Sequence, residues 1–494
     1  MGISSLLKTK LYLNLTQTII SNKKNILIIV PNPLLIIQLF QRFNAKYNHI
    51  GIYHNKLSNQ SKYQQYLNAK NNINNIYIGT IESIFLPIDN IGLIIIDDEH
   101  HTNYIKQIYH LIDIARQRTI YHNCPLLLTS NTPSINTYTN AINDNYQLID
   151  LKYNNNTNIN IVDMNQYKNK YQQPIINNNI YKDIDKTINN NKQVLILINQ
   201  RGYYPIIRCN KCNNIYKCPN CHIPLSYHKT KDTLKCHICN KNINKTISCL
   251  NCHNDSFTSF GYGIQQLENI LIEKYPYINI KTIDQDTNTN KEYYNIINEY
   301  INNKIQILIS DETTSNSLDI NNLSLVIVLN ADISLKYQNY RSSELTYNYI
   351  QQAIQRVNDH NGNIYIQVNN KDHYIIQAIN NKNYIQYYNN EIKYRKSLNL
   401  PPFYNIIVIY LYSKDKQISK QALTNIIEYL TYNNIFFYKP TKNNTKINYD
   451  YYIILKYQSI KIIKTHLNII YDNIINNYNI KINIDINPYK VKLS

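Results

Sequence analysis

Glycine is scarce in this chain, with 8 among 494 residues, and tryptophan is absent. Phosphate-cradling loops need glycine for backbone conformations closed to other residues, so few places remain where such a loop could form. Two further absences bear on location. The opening stretch, MGISSLLKTKLYL, has neither a signal-type apolar core with a small-residue cleavage site nor a run of ~20 apolar residues. A soluble cytoplasmic protein with no membrane partner is expected. In that reducing setting, paired cysteines read as metal ligands rather than disulfides.

What is present is positive charge: 51 Lys+Arg face 32 Asp+Glu, a formal net of +19. Such a balance suits a polyanionic partner such as nucleic acid and would make binding salt-dependent. Yet Asn, Ile, Lys and Tyr dominate throughout, as codon choice in an AT-rich gene would produce, and this accounts for the charge equally well. Charge alone therefore assigns no partner. Length predicts roughly three domains at ~150 residues each.

Short β-branched apolar runs alternate with polar stretches of helical length over residues 1–150. Ile26–Val30, Ile76–Gly79, Leu93–Ile96 and Pro125–Ser130 read as buried parallel strands of a first α/β lobe. Residues 151–192 are Asn-rich and weakly periodic and read as a connection. A strand at Gln193–Asn199 opens a second lobe over 193–207, and a cysteine block interrupts it over 208–254. Strands at Ile278–Ile283, Ile305–Ile309, Leu323–Leu329 and Asn363–Val368 resume that lobe over 255–378. Beyond it, a helical stretch leads to Leu400-Pro401-Pro402-Phe403, and alternating strands and helices over 379–494 predict a small α+β domain.

Eight of the 9 cysteines fall into four pairs with two residues between partners: Cys209 and Cys212, Cys218 and Cys221, Cys236 and Cys239, Cys249 and Cys252. That spacing lets both thiolates of a tight turn point at one ion, and two such turns complete a tetrahedron. Eight ligands make two closed sites. A closed site leaves no position for a reactive water, so two structural Zn²⁺ ions are expected. His222, His228, His237 and His253 lie nearby, but eight thiols already fill both sites. Cys124 stands apart in a strand-like segment and reads as a buried apolar thiol. Zinc ribbons serve many nucleic-acid proteins, so the block by itself means a binding or docking module.

The run from Leu93 to His100 is an apolar strand ending in Asp97-Asp98-Glu99-His100. A strand ending in acids is often only a solvated strand end. In nucleoside triphosphatases the same geometry places one carboxylate near Mg²⁺ and the next near the attacking water. Its neighbours favour the second reading: Ile78-Gly79-Thr80 precedes it and Thr132-Pro133-Ser134 follows.

The order of segments resembles the primosomal replication-restart helicases, the primosomal protein N′ or PriA family of superfamily 2. Matching stretches include Tyr53-His54, Ile78-Gly79-Thr80, Asp97 to His100 with Tyr104 and Lys106-Gln107, and Thr132-Pro133-Ser134. Further on come Asn199 to Tyr203 just before the cysteines, Gly261-Tyr262-Gly263, Asp284 to Thr287, Tyr340-Arg341 with Glu344, Arg356 and Pro401-Pro402-Phe403. The resemblance implies two RecA-like helicase lobes, a two-zinc ribbon inserted in lobe two, and a C-terminal α+β domain. It implies a monomeric ATP-dependent DNA helicase that moves 3′ to 5′, recognises stalled forks and helps reload the replicative helicase. Forked or single-stranded DNA, primosome proteins, single-stranded DNA-binding protein and the helicase loader would be its partners. Cys209, Cys212, Cys249 and Cys252 would hold one ion, and Cys218, Cys221, Cys236 and Cys239 the other. Gly2, Lys8 and Thr9 would contact ATP and Mg²⁺, Asp97 would hold the metal and Asp98 position the water, with Glu99 and His100 completing the motif and Arg356 stabilising transition-state charge.

The chain departs from the family at several of these points. Leu7 stands where the phosphate loop has its second glycine, which predicts strained backbone and crowding of the phosphate. The chain is expected to start inside that loop, without the strand that leads into it or the fork-binding domains before it. Asp98 replaces a glutamate, Ser310-Asp311-Glu312 and Asn316-Ser317 replace two lobe-two motifs, and Asp359 replaces the second arginine of the late motif. An ATPase-deficient zinc-ribbon scaffold that holds DNA or primosome partners is therefore the alternative to a working helicase.

Overall fold

The computed structural model describes residues 5–105, 109–151, 157–167, 174–198, 206–212, 214–219, 225–228, 233–236, 241–244, 248–249, 251–260, 264–283, 290–311, 320, 322–336, 339–358, 362–413, 415–438, 440–442, 451–478, 480–488 and 491. They form two compact units, one up to Asn156 and one from Thr157 onward.

In the first unit the chain runs α1 (Ser5–Ser21), β1 (Asn25–Ile29), α2 (Pro33–Asn44), β2 (Ile50–Tyr53), α3 (Asn59–Lys70), β3 (Ile76–Gly79), β4 (Ile91–Ile96), α4 (Leu111–His122), β5 (Leu126–Leu128) and α5 (Ile135–Ile142). The strands make one parallel sheet in the order β2-β3-β1-β4-β5. Every residue of β1 and β4 is buried, because helices cover both faces and leave no polar side to the strand. Alternate side chains serve opposite layers: Ile26, Ile28 and Ile95 pack with Tyr12 and Phe43, while Leu27, Ile29 and Ile96 pack with Ala115. Each buried Ile or Leu stabilises the lobe by about 1.5–3 kcal/mol. At Gly79 a Cβ would lie 2.5 Å from the Tyr53 carbonyl oxygen, so only glycine fits this strand tip. The strand β2 was not anticipated in the sequence; it is the sheet edge, with only Gly51 fully buried.

Scarce glycine is compensated elsewhere. Of the 14 described non-glycine residues with left-handed backbone, 9 are asparagine, among them Asn123, which ends α4 at φ 47°. Asparagine tolerates this region better than other L-residues, so the Asn-rich composition does structural duty at turns and helix ends.

The second unit is built on a parallel sheet, β13-β14-β7-β15-β16-β6. Its strands are β6 (Asn158–Asp163), β7 (Gln193–Ile198), β13 (Ile280–Ile283), β14 (Ile307–Ser310), β15 (Leu323–Leu329) and β16 (Asn363–Val368). The helices α6 (Asn178–Asn189), α7 (Ile264–Lys274), α8 (Asn290–Ile301) and α9 (Ser342–Asn358) belong with it. Residues 151–192 are thus more than a connection: β6 is an edge strand paired with β16, and Ile180 and Ile184 of α6 enter the core. Between β7 and α7 lies the cysteine ribbon, with β8 (Ile206–Cys209) pairing antiparallel to β12 (Phe257–Phe260) and a meander of β9 (Ser226–His228), β10 (Thr233–Lys235) and β11 (Asn242–Asn244).

After α10 (Tyr374–Asn380) and α11 (Tyr384–Ser397) come β17 (Asn405–Tyr412), α12 (Lys416–Tyr432), β18 (Thr441–Lys442), β19 (Tyr451–Tyr457), α13 (Ile460–Tyr478) and β20 (Lys481–Ile486). This is a β-α-β-β-α-β arrangement with antiparallel sheet order β18-β19-β17-β20 and both helices packed in one apolar layer. The expected boundary at residue 379 is not a break in packing. Tyr387 of α11 stacks on Tyr347 of α9 at 4.1 Å between ring centroids, and Arg395 joins both helices through ion pairs.

Candidate nucleotide and metal sites

The carboxyl ends of β1, β4 and β5 meet the first turns of α1, which is where open α/β sheets place ligands. Lys8 Nζ lies 3.1 Å from Asp97 Oδ1 and 2.7 Å from Asp98 Oδ1. Burial alone would lower the Lys8 pKa, but the two carboxylates outweigh it and hold the ammonium charged, above its ordinary value. Burial likewise pushes Asp98 up, and Lys8 and His100 more than reverse it. Asp98 takes a left-handed backbone, φ 49°, which turns its side chain back toward α1. Tyr12 donates to Asp97 Oδ1 at 2.6 Å, and Thr129 Oγ1 lies 3.2 Å from the same oxygen. Tyr104 donates to the Asp97 carbonyl at 2.6 Å and holds the main chain. Thr9 is buried and its hydroxyl accepts from Arg42 Nη1 at 2.8 Å.

The sequence-derived residues Lys8, Asp97 and Asp98 therefore converge, while their neighbours divide into other tasks. Glu99 turns to the following loop, accepting from Ser134 N at 2.6 Å, Ser134 Oγ at 3.0 Å and Thr137 Oγ1 at 2.9 Å. It ties the acidic turn to the start of α5. His100 Nδ1 lies 2.7 Å from Ser130 Oγ. The strain expected at Leu7 is not found, because the helix already begins at Ser5 and Leu7 has helical backbone with its side chain 41% exposed. Gly2, Lys106, Gln107 and Asp359 lie outside the described residues. Tyr12 was missed in the sequence, although its place four residues after Lys8 puts both on one helix face.

His101 offers a pH-dependent readout of this turn. Its Nδ1 accepts the Asn103 N–H at 3.2 Å, which requires the neutral ring. Burial, joined by His100, brings its pKa down to about 4 against the pull of Asp98. The folded value lies below the ordinary 6.5, so stability is held above pH 6.5 and declines as pH falls toward 4. His101→Asn keeps an acceptor that does not titrate, and should flatten that part of the melting-temperature profile. Parallel profiles for the two proteins would contradict this.

In the second unit Arg356 occupies the last turn of α9. Burial lowers its guanidinium to about 10, opposed by the nearby Tyr349, Tyr293 and Tyr300. Glu344 and Arg341, at the start of the same helix, belong to a buried ionic cluster with Arg395 and Tyr340.

Cys209, Cys212, Cys249 and Cys252 bring their sulfurs within 4.8 Å of one another, with Cys209 to Cys252 at 3.5 Å and Cys212 to Cys249 at 3.6 Å. A tetrahedral zinc with bonds of about 2.3 Å sets sulfurs about 3.8 Å apart, so the four fit such an ion. The turns repeat: the N–H of Cys209 donates to Asn214 O, that of Cys236 to Lys241 O and that of Cys249 to Asn254 O, at 2.9, 2.9 and 3.0 Å. The N–H of Cys212, with Lys211, brings the Cys209 thiol down to about 6. For Cys252 the Asn254 N–H pulls down, yet burial and the neighbouring sulfurs raise it to about 12. Thiols packed this closely cannot all ionise without a cation. Cys218 and Cys236 are buried beside Leu225 and Leu234, whereas Cys221 and Cys239 lie outside the described residues.

A family profile described as DEAD/DEAH box helicase matches residues 8–141, the unit that carries Lys8, Asp97 and Asp98. The class is thus an α/β helicase-type protein with parallel sheets. A second profile, the PriA DNA helicase Cys-rich region (CRR) domain, matches residues 218–242. Replication restart protein PriA of Bacillus subtilis is 27% identical over 99% of this chain and 63% of its own length. That of Borreliella burgdorferi is 30% identical over 86% of this chain and 66% of its own. The chain belongs to the PriA family, and spans less than two thirds of the length of these relatives. Among solved structures, the DUF1998 helicase MrfA bound to DNA and AMPPNP aligns with 79% of the chain and 48% of its own at 11% identity and a TM-score of 0.46. Among the described residues, no helix is long and apolar enough to cross a membrane.

Proposed function

We propose that the chain is an ATP-driven DNA helicase of the replication-restart type, acting on forked or single-stranded DNA with 3′ to 5′ polarity and helping to reload the replicative helicase. The observation that carries this reading is the convergence of Lys8 with Asp97 and Asp98 at the sheet's carboxyl edge. Lys8 leaves the carboxylates to hold a phosphate together with Gly2, and Thr9 and Asp97 would hold the accompanying Mg²⁺. Bound there, Mg²⁺ would neutralise phosphate charge. Asp98 orients the attacking water, Glu99 and His100 pass the state of the site to the Ser130–Ser134 loop, and Arg356 stabilises transition-state charge. Two Zn²⁺, one on Cys209, Cys212, Cys249 and Cys252 and one on Cys218, Cys221, Cys236 and Cys239, brace the ribbon in lobe two. Residues 1–150 act as lobe one, 193–207 with 255–378 as lobe two and 379–494 as the C-terminal domain. Membership of the PriA family supports a cytoplasmic monomer working with primosome proteins, single-stranded DNA-binding protein and the helicase loader.

The test is DNA-stimulated ATP hydrolysis by the purified, zinc-loaded chain. Lys8→Ala should lower turnover about a hundredfold or more, since the residue faces charge that develops in the reaction, and should leave zinc content unchanged. A fully metallated wild type without turnover would sink the reading and leave a DNA-binding scaffold.

A further inference from the structure

Tyr12 belongs to none of the motifs read in the sequence, yet its hydroxyl sits at the centre of the nucleotide site. The residue is 1% exposed. Its hydroxyl lies 2.6 Å from Asp97 Oδ1 and 2.6 Å from Thr129 Oγ1, and Thr129 Oγ1 lies 3.2 Å from the same Asp97 oxygen. The three groups form a closed triangle drawn from α1, the end of β4 and the residue after β5.

Counting hydrogens fixes the directions. An ionised carboxylate only accepts, so Tyr12 gives its one hydrogen to Asp97, and the Thr129 hydroxyl supplies the second hydrogen of the triangle. Phenylalanine would fill the same apolar space beside Ile28, Ile95 and Phe43, so packing does not account for the hydroxyl. Tyr104 does not duplicate it, because Tyr104 holds carbonyl oxygens of Asp97 and Ile29 rather than the carboxylate. Lys8 does touch Asp97 Oδ1, but in the proposed reaction it turns to phosphate. Among the described residues, no donor reaches Asp97 Oδ2.

We propose that Tyr12 is a positioning residue whose hydroxyl, with Thr129, fixes the Asp97 carboxylate so that Oδ2 faces the divalent cation accompanying the nucleotide. The inference rests on the nucleotide reading of this site. It also makes the Asp97 orientation depend on Thr129, which leads directly into the loop that Glu99 and His100 hold.

The experiment is a binding titration of the full chain with a fluorescent ADP, with and without Mg²⁺. In wild type Mg²⁺ should tighten binding. Tyr12→Phe should reduce that Mg²⁺-dependent gain about tenfold, the scale of one buried hydrogen bond to a charged group, while the Mg²⁺-free affinity stays as in wild type. Lys8→Ala should show the opposite split and weaken the Mg²⁺-free affinity. An undiminished gain in Tyr12→Phe overturns the proposal alone. A wild type that binds ADP without any gain from Mg²⁺ also overturns it, and one that binds no ADP removes the nucleotide reading with it. If Tyr12→Phe melts too early to titrate, Thr129→Val takes its place: a reduced gain supports the triangle, and a full gain overturns it.

Discussion

Stripping zinc from the purified chain is expected to unfold the ribbon of residues 206–260 and to leave the first unit folded. Among the described residues, the ribbon's own apolar core is small, consisting of Leu225, Leu234 and two cysteines with Tyr216, Ile243 and Phe257 around them. Its strands are three or four residues long. Such a module cannot offset the entropy of ordering its loops by burial alone, whereas a structural zinc contributes about 10–16 kcal/mol near neutral pH. A strong chelator should release two Zn²⁺ per chain. Backbone amides of β8, β10 and β12 should then lose hydrogen-exchange protection while those of β1 and β4 keep theirs. Cys212→Ser should release one ion and spare the other, because the proposed pairing assigns the two ions to different turns. A native mass showing no zinc in the untreated protein would remove the metal from the account.

The parts of this architecture that were legible in the sequence are those where one physical demand dominates. The strands β1, β4, β7 and β15 are buried on both faces and had to be continuous apolar runs, so their positions stood out. The cysteine turns stood out because two thiolates at that spacing can point at one ion. Lys8, Asp97 and Asp98 were named as site residues, and the fold brings them together. Edge strands were harder. In β6 no residue is fully buried, and its Asn158 and Asn160 look like loop residues until β16 pairs with them. This edge strand pairs with β16, which begins 205 residues further on, and no local pattern records that.

Residues whose role depends on convergence were the least legible. Glu99 reads as one more acid of its motif, and only the folded turn shows it serving Ser134 and Thr137. Leu7 read as strained because a glycine stands at its place in the family, whereas the helix start makes its backbone ordinary. Tyr12 is one of 48 tyrosines. Nothing in its neighbours marks it until β4 and β5 place an aspartate and a threonine at its hydroxyl.

The same holds for Arg395, whose replacement should be the most damaging single change in the second unit outside the ribbon. Its guanidinium is 1% exposed and binds Glu344 Oε2 at 2.9 Å and Glu391 Oε1 at 2.7 Å, with Pro401 O at 3.3 Å. Tyr374 donates to the other oxygen of Glu391 at 2.6 Å, and the Tyr340 ring lies 5.7 Å from the guanidinium carbon. Burial works against this charge, but Glu344 and Glu391 outweigh it and raise the pKa above its ordinary value. Arg395→Ala would leave two carboxylates in an apolar setting without their common partner, at a cost of about 3–5 kcal/mol. The expected result is a fall in melting temperature on the order of 10 °C. Replacing the pair, by Arg395→Met with Glu391→Gln, should recover part of the loss, since one carboxylate leaves with the arginine and Glu344 keeps Arg341 beside it. The cluster joins α9 to α11 and to the Pro401 segment, and α9 also carries Arg356. Arg395→Ala should therefore loosen the helix on which the proposed arginine contact depends, visible as faster hydrogen exchange along Ser342–Asn358. If the alanine variant melts with wild type and α9 stays protected, the cluster does not hold the second unit together.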